Sequence, residues 1–271
     1  MKILVFINKN KGVSEESINL LIKKLSEKKI SYDIIYQNEE ITKNDYSAIF
    51  IFGGDGTILR RTEFSCVNEI PIIPINAGKV GFLSEFEQNE IDNAIDLFLD
   101  NQLVKDCRTT MQISYDGKKY LALNDVVIQR LYTEEHNDGF IIEVNVNIDD
   151  NDVDIVKGDG VIVATPTGST AYSLSAGGAI LAPKLSAFIF TPLASHSFSN
   201  RPVVFSSDSV CKLTFASGCS AGLFIDGVFI SKIEKNKPLT ITKYQKDTIF
   251  LRKKNSNFFA RLNKKIKDKD N

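Results

Sequence analysis

The segment SAIFIFGGDGTILRR, from Ser47 to Arg61, limits what this chain can fold into more than any other part of the sequence. An apolar run typical of a buried strand ends in the glycine-rich GGDGT stretch, and a helix is predicted to follow Thr57. Glycines allow positive φ angles and let phosphate oxygens approach backbone N–H groups without a Cβ in the way. Open α/β sheets bind ligands at the carboxyl ends of their strands, so the segment predicts a phosphate site at such an edge.

Strand-like and helical patterns alternate through the first hundred residues, which predicts a parallel sheet covered by helices on both faces. The strand-like runs are Lys2 to Ile7, Tyr32 to Tyr36, Ala48 to Phe52 and Ile70 to Ile75. Pro71 and Pro74 interrupt the last run, so we expect it near an edge or an end of the sheet.

The pattern changes after about Lys105, where short strand-like runs separated by turns continue to Thr242. Closely spaced short strands predict a sandwich-like, all-β domain. We therefore expect an α/β domain with a parallel sheet over 1–105 and a β-rich domain over 106–251. The basic tail, 252–271, has apolar residues at helical spacing, which predicts a helix packed on the body.

Composition excludes several classes of protein. The formal net charge of -1 gives no field that would recruit nucleic acid or an acidic membrane. No stretch approaches the ~20 apolar residues that span a bilayer, and the N-terminal apolar run is too short for a signal peptide. We expect a cytoplasmic protein that binds neither nucleic acid nor membrane. The four cysteines lie far apart and the two histidines form no HExxH, so we expect no dedicated transition-metal site.

Asp55 is the unexpected member of the glycine-rich loop, because a carboxylate repels phosphate. Accepting a proton from an attacking hydroxyl would explain it, and so would holding a magnesium ion. A tight turn in which Asp55 caps the following helix is the structural alternative.

Further polar motifs follow along the chain, and one of them, Thr165 to Gly178, is small and hydroxyl-bearing, with one Tyr ring able to stack on a flat base. The motifs are Asn76 to Leu83, Asn124-Asp125, Gly158 to Gly160, Thr165 to Gly178, Pro192 to Pro202 and Asp226-Gly227. Four of them also have an ordinary structural interpretation: a polar turn for Asn124-Asp125, a Gly/Ser loop and helix start for Thr165 to Gly178, a hydrogen-bonded histidine for His196, and a hairpin turn for Asp226-Gly227.

In identity, order and spacing, these motifs resemble those of bacterial NAD kinases from the first strand to about Leu251. GGDGT alone is shared with diacylglycerol and sphingosine kinases. A lipid kinase would not need Asn124-Asp125 or the segment from Thr165 to Gly178, and a non-catalytic nucleotide-binding protein would be expected to lack Asp55. The resemblance implies transfer of the terminal phosphate of ATP, or of another donor, to the 2′-hydroxyl of the adenosine ribose of NAD. Another small-molecule or lipid kinase with a GGDGT loop is the alternative.

The resemblance also implies roles for individual residues. Asp55 matches the catalytic aspartate, in a phosphate loop of Gly53, Gly54, Gly56 and Thr57. The substrate-binding positions are Phe82, Asn124, Asp125, Asp159, Thr170, Ala171, Tyr172, Ser175, Ala194, His196 and Asp226. Asp125 departs from the family pattern, which usually has Glu there. NAD and ATP are the implied ligands, with a divalent cation, Mg²⁺, bound with the donor and no protein residues assigned as metal ligands. A homo-oligomer, dimer or tetramer, is the implied assembly.

Overall fold

The computed structural model of the chain describes residues 1–37, 39–78, 81–131, 141–195 and 201–267. The chain divides into two compact units. Unit 1 combines Met1–Arg108 with the C-terminal residues from Asp247, and unit 2 spans Thr109–Lys246. No helix among the described residues is long and apolar enough to cross a membrane.

The strands and helices follow each other along the whole chain. The strands are β1 (Lys2–Ile7), β2 (Ser31–Tyr36), β3 (Ala48–Gly53), β4 (Ile72–Asn76), β5 (Phe86–Glu87), β6 (Val104–Arg108), β7 (Met111–Tyr115), β8 (Lys118–Ala122), β9 (Asp125–Arg130), β10 (Ile142–Ile148), β11 (Asn151–Gly158), β12 (Gly160–Ala164), β13 (Ala187–Leu193), β14 (Val203–Ser206), β15 (Cys211–Gly218), β16 (Ala221–Ile225), β17 (Val228–Ile233), β18 (Pro238–Lys243) and β19 (Thr248–Arg252). The α-helices are α1 (Glu15–Glu27), α2 (Asp55–Asn68), α3 (Ile91–Leu99), α4 (Tyr172–Ser175) and α5 (Phe258–Lys267).

Unit 1 is built on a mostly parallel sheet with the strand order β2-β1-β3-β4-β19-β6, and β5 pairs with β4. Only the pair β19–β6 is antiparallel. All six residues of β3 are buried, as expected for a central strand covered on both faces. Apolar residues of α1 and α3, such as Leu21 and Ile95, share one core with those of β1 and β3. Helix α2 contacts β3 and β19.

The proline-containing strand β4 lies inside the sheet, between β3 and β19, and not near an edge or an end as the sequence suggests. The carbonyl of Pro74 accepts from Glu85 N, so the nitrogen of Pro74 faces the same side of the strand. On that side, β19 pairs with β4 only at Ile72, and β5 begins to pair at Ile75. The missing N–H of Pro74 therefore lies in a gap between two partners.

The sequence places β19 in the second domain, 106–251, whereas in the structure this strand completes the sheet of unit 1. Arg252 at its end is 2% exposed. Its Nη1 lies 2.9 Å from Glu85 Oε2, and its Nε lies 2.5 Å from Asp106 Oδ2. Asp106 also pairs with Arg108. These buried ion pairs hold β19 to residues more than 140 positions earlier in the chain. Contacts over such a distance cannot be predicted from the local sequence pattern.

Unit 2 consists of two six-stranded antiparallel sheets, ordered β11-β10-β15-β18-β7-β8 and β14-β13-β12-β9-β16-β17. Ile113 and Leu213 from the first sheet and Val126 and Val161 from the second belong to one buried cluster. The sheets therefore pack face to face as a sandwich. The predicted fold class, a parallel α/β domain followed by an all-β domain, is confirmed.

The basic tail contains helix α5, which packs on unit 1. Asn257 Oδ1 accepts from the backbone N–H groups of Phe259 and Ala260 and so caps the start of the helix. The ring of Phe258 lies against the ring of Phe82, with centroids 6.4 Å apart.

Replacing Arg252 with Met should lower the free energy of unfolding by about 3 kcal/mol, because it leaves two buried carboxylates with fewer cations. Denaturation in urea at neutral pH measures this. The matched control is Lys23→Met, which removes an exposed pair with Glu27 and should change the free energy by less than about 0.5 kcal/mol. An Arg252→Met variant as stable as the parent would show that the ion pairs do not hold β19.

Candidate active site

The GGDGT loop joins the carboxyl end of β3 to the N-terminus of α2, which begins at Asp55. Gly54 precedes the helix with extended backbone, φ −92° and ψ −178°, and no side chain caps this end. The first N–H groups of a helix have no acceptor within the helix, and the helix dipole favours negative charge there. This end of α2 therefore suits a phosphate.

The carboxylate of Asp55 is held by the backbone of a separate segment. Its Oδ2 accepts from Phe82 N at 2.8 Å, and its Oδ1 accepts from Leu83 N at 3.2 Å. A Cβ at Gly81 would lie 1.8 Å from Oδ1, so residues 81–83 can wrap the carboxylate only with glycine at that position. Asp55 is fixed by these contacts and does not cap its own helix, which disfavours the structural alternative.

Thr57 ties the loop to the neighbouring strand. It is 3% exposed, and its Oγ1 accepts from Asn8 Nδ2 at 2.8 Å, just beyond the end of β1. A Cβ at Gly53 would lie 2.5 Å from Thr57 Cβ, so Thr57 fills the space that this glycine leaves. Gly56 is exposed, and nothing lies within 4 Å of the position of a Cβ there.

In unit 2, Asp226 anchors the backbone of the Asn124-Asp125 motif. Its carboxylate accepts from Leu123 N at 2.9 Å, Asn124 N at 2.7 Å and Asp125 N at 3.1 Å. Asp226 lies in the turn between β16 and β17 with φ +46°, a conformation that Asp tolerates better than most residues. The hairpin-turn interpretation is thus correct, and the same residue also fixes the position of the motif.

Asp125 is a buried carboxyl group beside a second one. Burial and the charge of Asp226 raise the pKa of Asp125 to about 7. Burial also raises the pKa of Asp226, to about 6, against the three N–H donors that favour its ionised form. Since those donors stabilise the charge on Asp226, we assign the proton near neutral pH to Asp125. A protonated Asp125 can donate a hydrogen bond as well as accept one.

The segment from Thr165 to Gly178 docks on the same motif. Thr165 N donates to Asn124 O at 2.9 Å, and the Thr165 hydroxyl donates to Leu123 O at 2.5 Å. A Cβ at Gly168 would lie 2.1 Å from Asn124 O, so this close approach requires glycine. The small and hydroxyl residues of this segment are therefore what allows the two motifs to pack.

Tyr172 lies near the acidic residues of this group. It is 40% exposed. Burial, followed by the charges of Asp159 and Asp125, raises the pKa of Tyr172, while a hydrogen bond with Gln129 opposes the shift. Asp159 is paired with Arg130, whose Nε lies 3.0 Å from Asp159 Oδ1. Unit 2 therefore brings together the Asn124-Asp125 motif, Asp159 and a partly exposed aromatic ring.

Three of the remaining predicted residues of unit 2 lie close in sequence to members of this group. Thr170 donates to Thr167 O at 3.2 Å within the turn that leads through Ala171 to α4. Ser175 is exposed at the end of α4. Ala194 is exposed with φ +42°, next to Leu193, whose carbonyl accepts from Asp159 N at 2.8 Å. His196 lies outside the described residues.

Comparison with known proteins places the whole chain in one family. The model of the ATP-NAD kinase N-terminal domain matches residues 4–103, and that of the ATP-NAD kinase C-terminal domain matches residues 123–252. The chain belongs to the ATP-NAD kinase family. The resemblance seen in the sequence is thereby confirmed.

Individual relatives within the ATP-NAD kinase family match over most of the chain. An NAD kinase of Caldicellulosiruptor bescii is 31% identical over 99% of this chain and 100% of that protein. A bifunctional NADP phosphatase/NAD kinase of Methanocaldococcus jannaschii is 37% identical over 92% of this chain but 45% of that longer protein.

Solved structures agree with the fold. An NAD kinase from Archaeoglobus fulgidus in complex with ATP matches with a TM-score of 0.80 and 25% identity, over 98% of this chain and 99% of that one. Yeast NADH kinase complexed with NADH matches with a TM-score of 0.84 and 22% identity, over 96% and 85% of the two chains, which shows the fold alone.

Sequence reasoning did not single out several residues that support these ATP-NAD kinase motifs. Gly81 borders the Asp55 carboxylate, Asn8 contacts Thr57, and Gln129 contacts Tyr172. Gly81 belongs to a motif noted in the sequence, but its role depends on a contact 26 positions away. Asn8 could have been found from its place after β1, because neighbouring parallel strands end at the same edge.

The Asp125→Asn variant should become more stable relative to the parent as pH rises from about 4 to about 7. In the unfolded chain Asp125 ionises near pH 3.8, whereas in the folded protein it keeps its proton to about pH 7. The unfolded parent therefore binds fewer protons in this window, and its free energy of unfolding falls by up to about 1.4 kcal/mol per pH unit. Asn does not titrate, so the variant lacks this loss.

Urea denaturation of both proteins at each pH unit from 4 to 8 measures the difference. A difference in free energy that stays constant over this range would mean that Asp125 ionises normally in the folded protein.

Proposed function

We propose that the protein transfers the terminal phosphate of ATP, or of another phosphoryl donor, to the 2′-hydroxyl of the adenosine ribose of NAD and so makes NADP. It is then an NAD kinase, EC 2.7.1.23. The observation that carries the proposal is the Asp55 carboxylate, fixed by two backbone N–H groups inside a glycine loop, in a chain that belongs to the ATP-NAD kinase family.

Asp55 acts as the general base in this proposal. The amide groups at the start of α2 bind phosphate oxygens, and a carboxylate among them is useful only if it performs a different task. Asp55 accepts the proton of the 2′-hydroxyl while that oxygen bonds to the transferred phosphorus and the bond from phosphorus to the rest of the donor breaks. The two N–H donors to Asp55 leave each carboxylate oxygen one further lone pair for this proton.

Unit 2 supplies the groups that hold NAD. The protonated Asp125 and the neighbouring Asn124 suit the ribose hydroxyls, since both can donate and accept hydrogen bonds. Asp125 has one methylene fewer than the Glu usual in the family, and Asp226 holds its backbone N–H at 3.1 Å. Asp159 and Tyr172 suit the base at one end of the dinucleotide, the carboxylate by accepting from an amino or amide N–H and the ring by stacking.

A divalent cation would accompany the phosphoryl donor. Across the described residues, no three His, Cys, Asp or Glu side chains gather in a group that could hold a metal ion by themselves. Magnesium carried by phosphates needs only one or two protein carboxylates and keeps several waters. Asp55 fits this need, because its carboxylate is half-buried and borders the phosphate loop. The ion would neutralise charge on the transferred phosphoryl group.

Asp55→Asn should lower kcat by ~10²–10⁴ while leaving the KM for NAD within about twofold, because Asn cannot take the proton but keeps the shape. Purified protein is incubated with NAD, ATP and magnesium, and NADP is measured with an NADP-dependent dehydrogenase. Asp45→Asn, which changes a carboxylate with 62% of its side chain exposed, is the control and should keep the parent rate. A variant Asp55→Asn with the parent kcat removes Asp55 from the mechanism.

Tyr172→Ala should raise the KM for NAD by about two- to tenfold and leave the KM for ATP nearly unchanged. Ring stacking contributes ~0.5–1.5 kcal/mol beyond burial of area, and the ring is 40% exposed and so available to a base. Tyr172→Phe keeps the ring and serves as the control, with a KM for NAD close to that of the parent. Equal effects on both substrates would indicate that Tyr172 serves packing instead.

The active form is a homo-oligomer, a dimer or a tetramer. Both edge strands of one sheet in unit 2 expose apolar side chains: Val203 and Val204 on β14, and Val228 and Phe229 on β17, each between 36% and 51% exposed. Exposed apolar edge strands are sites where another chain can pair or pack. Light scattering during gel filtration, combined with an activity assay of the fractions, measures the state. A fully active monomer would exclude an obligate oligomer.

A further inference from the structure

A buried cluster of arginines and carboxylates lies beneath helix α5, apart from the GGDGT loop. The Glu85 side chain is 4% exposed, and its Oε2 accepts from Arg252 Nη1 at 2.9 Å and from Arg261 Nη1 at 3.2 Å. Arg252 also pairs with Asp106, which in turn pairs with Arg108. Three guanidinium groups therefore share two carboxylates, and the cluster carries a positive charge in excess.

Two donors of this cluster lack an acceptor. Among the described residues, the buried atoms Arg252 Nη2 and Arg261 Nε have no hydrogen-bond partner. Leaving a buried donor unsatisfied costs ~1–3 kcal/mol, and more for a charged group. Burial, followed by the charges of Arg252 and Arg108, lowers the pKa of Arg261 to about 10, against the opposing effect of Glu85. The Arg261 guanidinium is thus a partly buried cation with two other guanidinium groups nearby.

A cavity of about 370 Å³ opens beside Arg261. Lys253, Ser256 and Lys264 also line it, and Lys264 has no acidic partner within ion-pair distance in the described chain. Lys253 is already paired with Glu90. The wall of the cavity also contains two acidic residues, Glu85 and Glu87.

The two oxygens of the Glu87 carboxylate accept from the neutral amide of Asn76, whose Nδ2 lies 3.2 and 2.9 Å away, so in the described part of the chain Glu87 forms no ion pair with the cations of the wall. The Ser256 hydroxyl already donates to Glu85 Oε2 at 2.9 Å and accepts from Arg261 Nη1. Within the described residues, the wall therefore offers two cationic groups, the Arg261 guanidinium and the Lys264 ammonium, of which only the first has a carboxylate partner. These are the groups with which proteins bind phosphate and carboxylate.

We propose that this cavity is a second ligand site, which binds a compact organic dianion, either a phosphate ester or a dicarboxylate. Arg261 and Lys264 provide the charge. The volume lies at the lower end of the range for small-molecule sites, which suits a ligand of metabolite size.

The site contacts the same segment that holds Asp55. Glu85 follows Leu83 by two residues, and Phe82 is covered by Phe258 and by Lys265, whose Nζ lies 4.5 Å from the centre of the Phe82 ring. A dianion bound between α5 and residues 84–87 would hold this helix against the segment. The second site is therefore placed to influence the loop without sharing its residues.

Nuclear magnetic resonance of the ¹⁵N-labelled full chain tests the proposal, with inorganic phosphate and malonate as probes and sodium chloride at matched ionic strength as the control. We expect saturable shifts of the Arg261 Nε–H signal and of the Ser256 amide with at least one dianion and none with chloride. The two dianions distinguish a phosphate ligand from a dicarboxylate ligand. Shifts confined to the amides of Gly54 and Gly56, or equal shifts with chloride, would overturn the proposal.

Two matched variants sharpen the test. Lys264→Ala should raise the Kd of the bound dianion about threefold, as expected for a partly solvated ion pair. Lys254→Ala removes a neighbouring exposed lysine that does not line the cavity, and it should leave the Kd unchanged. Equal Kd values for the two variants would contradict a site that uses Lys264.

Discussion

The two hydrogen bonds from Phe82 N and Leu83 N to the Asp55 carboxylate fix the GGDGT loop of unit 1 against residues 81–83. A carboxylate that accepts backbone N–H groups is held more firmly than one that points into solvent, because charge-assisted hydrogen bonds are the stronger kind. The contact requires a glycine at position 81. It also fixes the start of a segment whose later residue, Glu85, is bound by Arg252 and Arg261. The loop, the last strand and the last helix thus form one connected structure.

Unit 2 uses the same physical device for a different purpose. The Asp226 carboxylate accepts three consecutive backbone N–H groups and so presents Asn124 and Asp125 in a fixed geometry. In unit 1 the backbone holds the carboxylate that we propose as the general base. In unit 2 the carboxylate holds the backbone, and the proposed binding groups are the neighbouring side chains. Burial, together with the nearby charge of Asp226, raises the pKa of Asp125 to about 7, which lets Asp125 donate a hydrogen bond to a hydroxyl group.

Sequence patterns predict best the features that depend on neighbouring residues. The apolar run of β3, the GGDGT loop and the following helix are predicted in this way, since strand, loop and helix are continuous in the chain. Roles that depend on distant contacts are predicted less well. Asp226 was recognised as a hairpin residue, but its bonds to residues about a hundred positions earlier have no local signature. The interior position of β4 was missed because a proline is tolerated where one partner strand ends and another begins. The same applies to β19, whose ion partners lie in the first half of the chain.

The return of β19 to unit 1 also bears on how the chain is made. Unit 2 is complete once Lys246 has been synthesised, and it can fold as soon as that residue has left the ribosome. The sheet of unit 1, although it begins at Lys2, lacks an interior strand until Arg252 has emerged. The unit that starts first is therefore finished last. Until β19 is in place, the edges of β4 and β6 with which it pairs are exposed, and a chaperone or a neighbouring nascent chain can reach them.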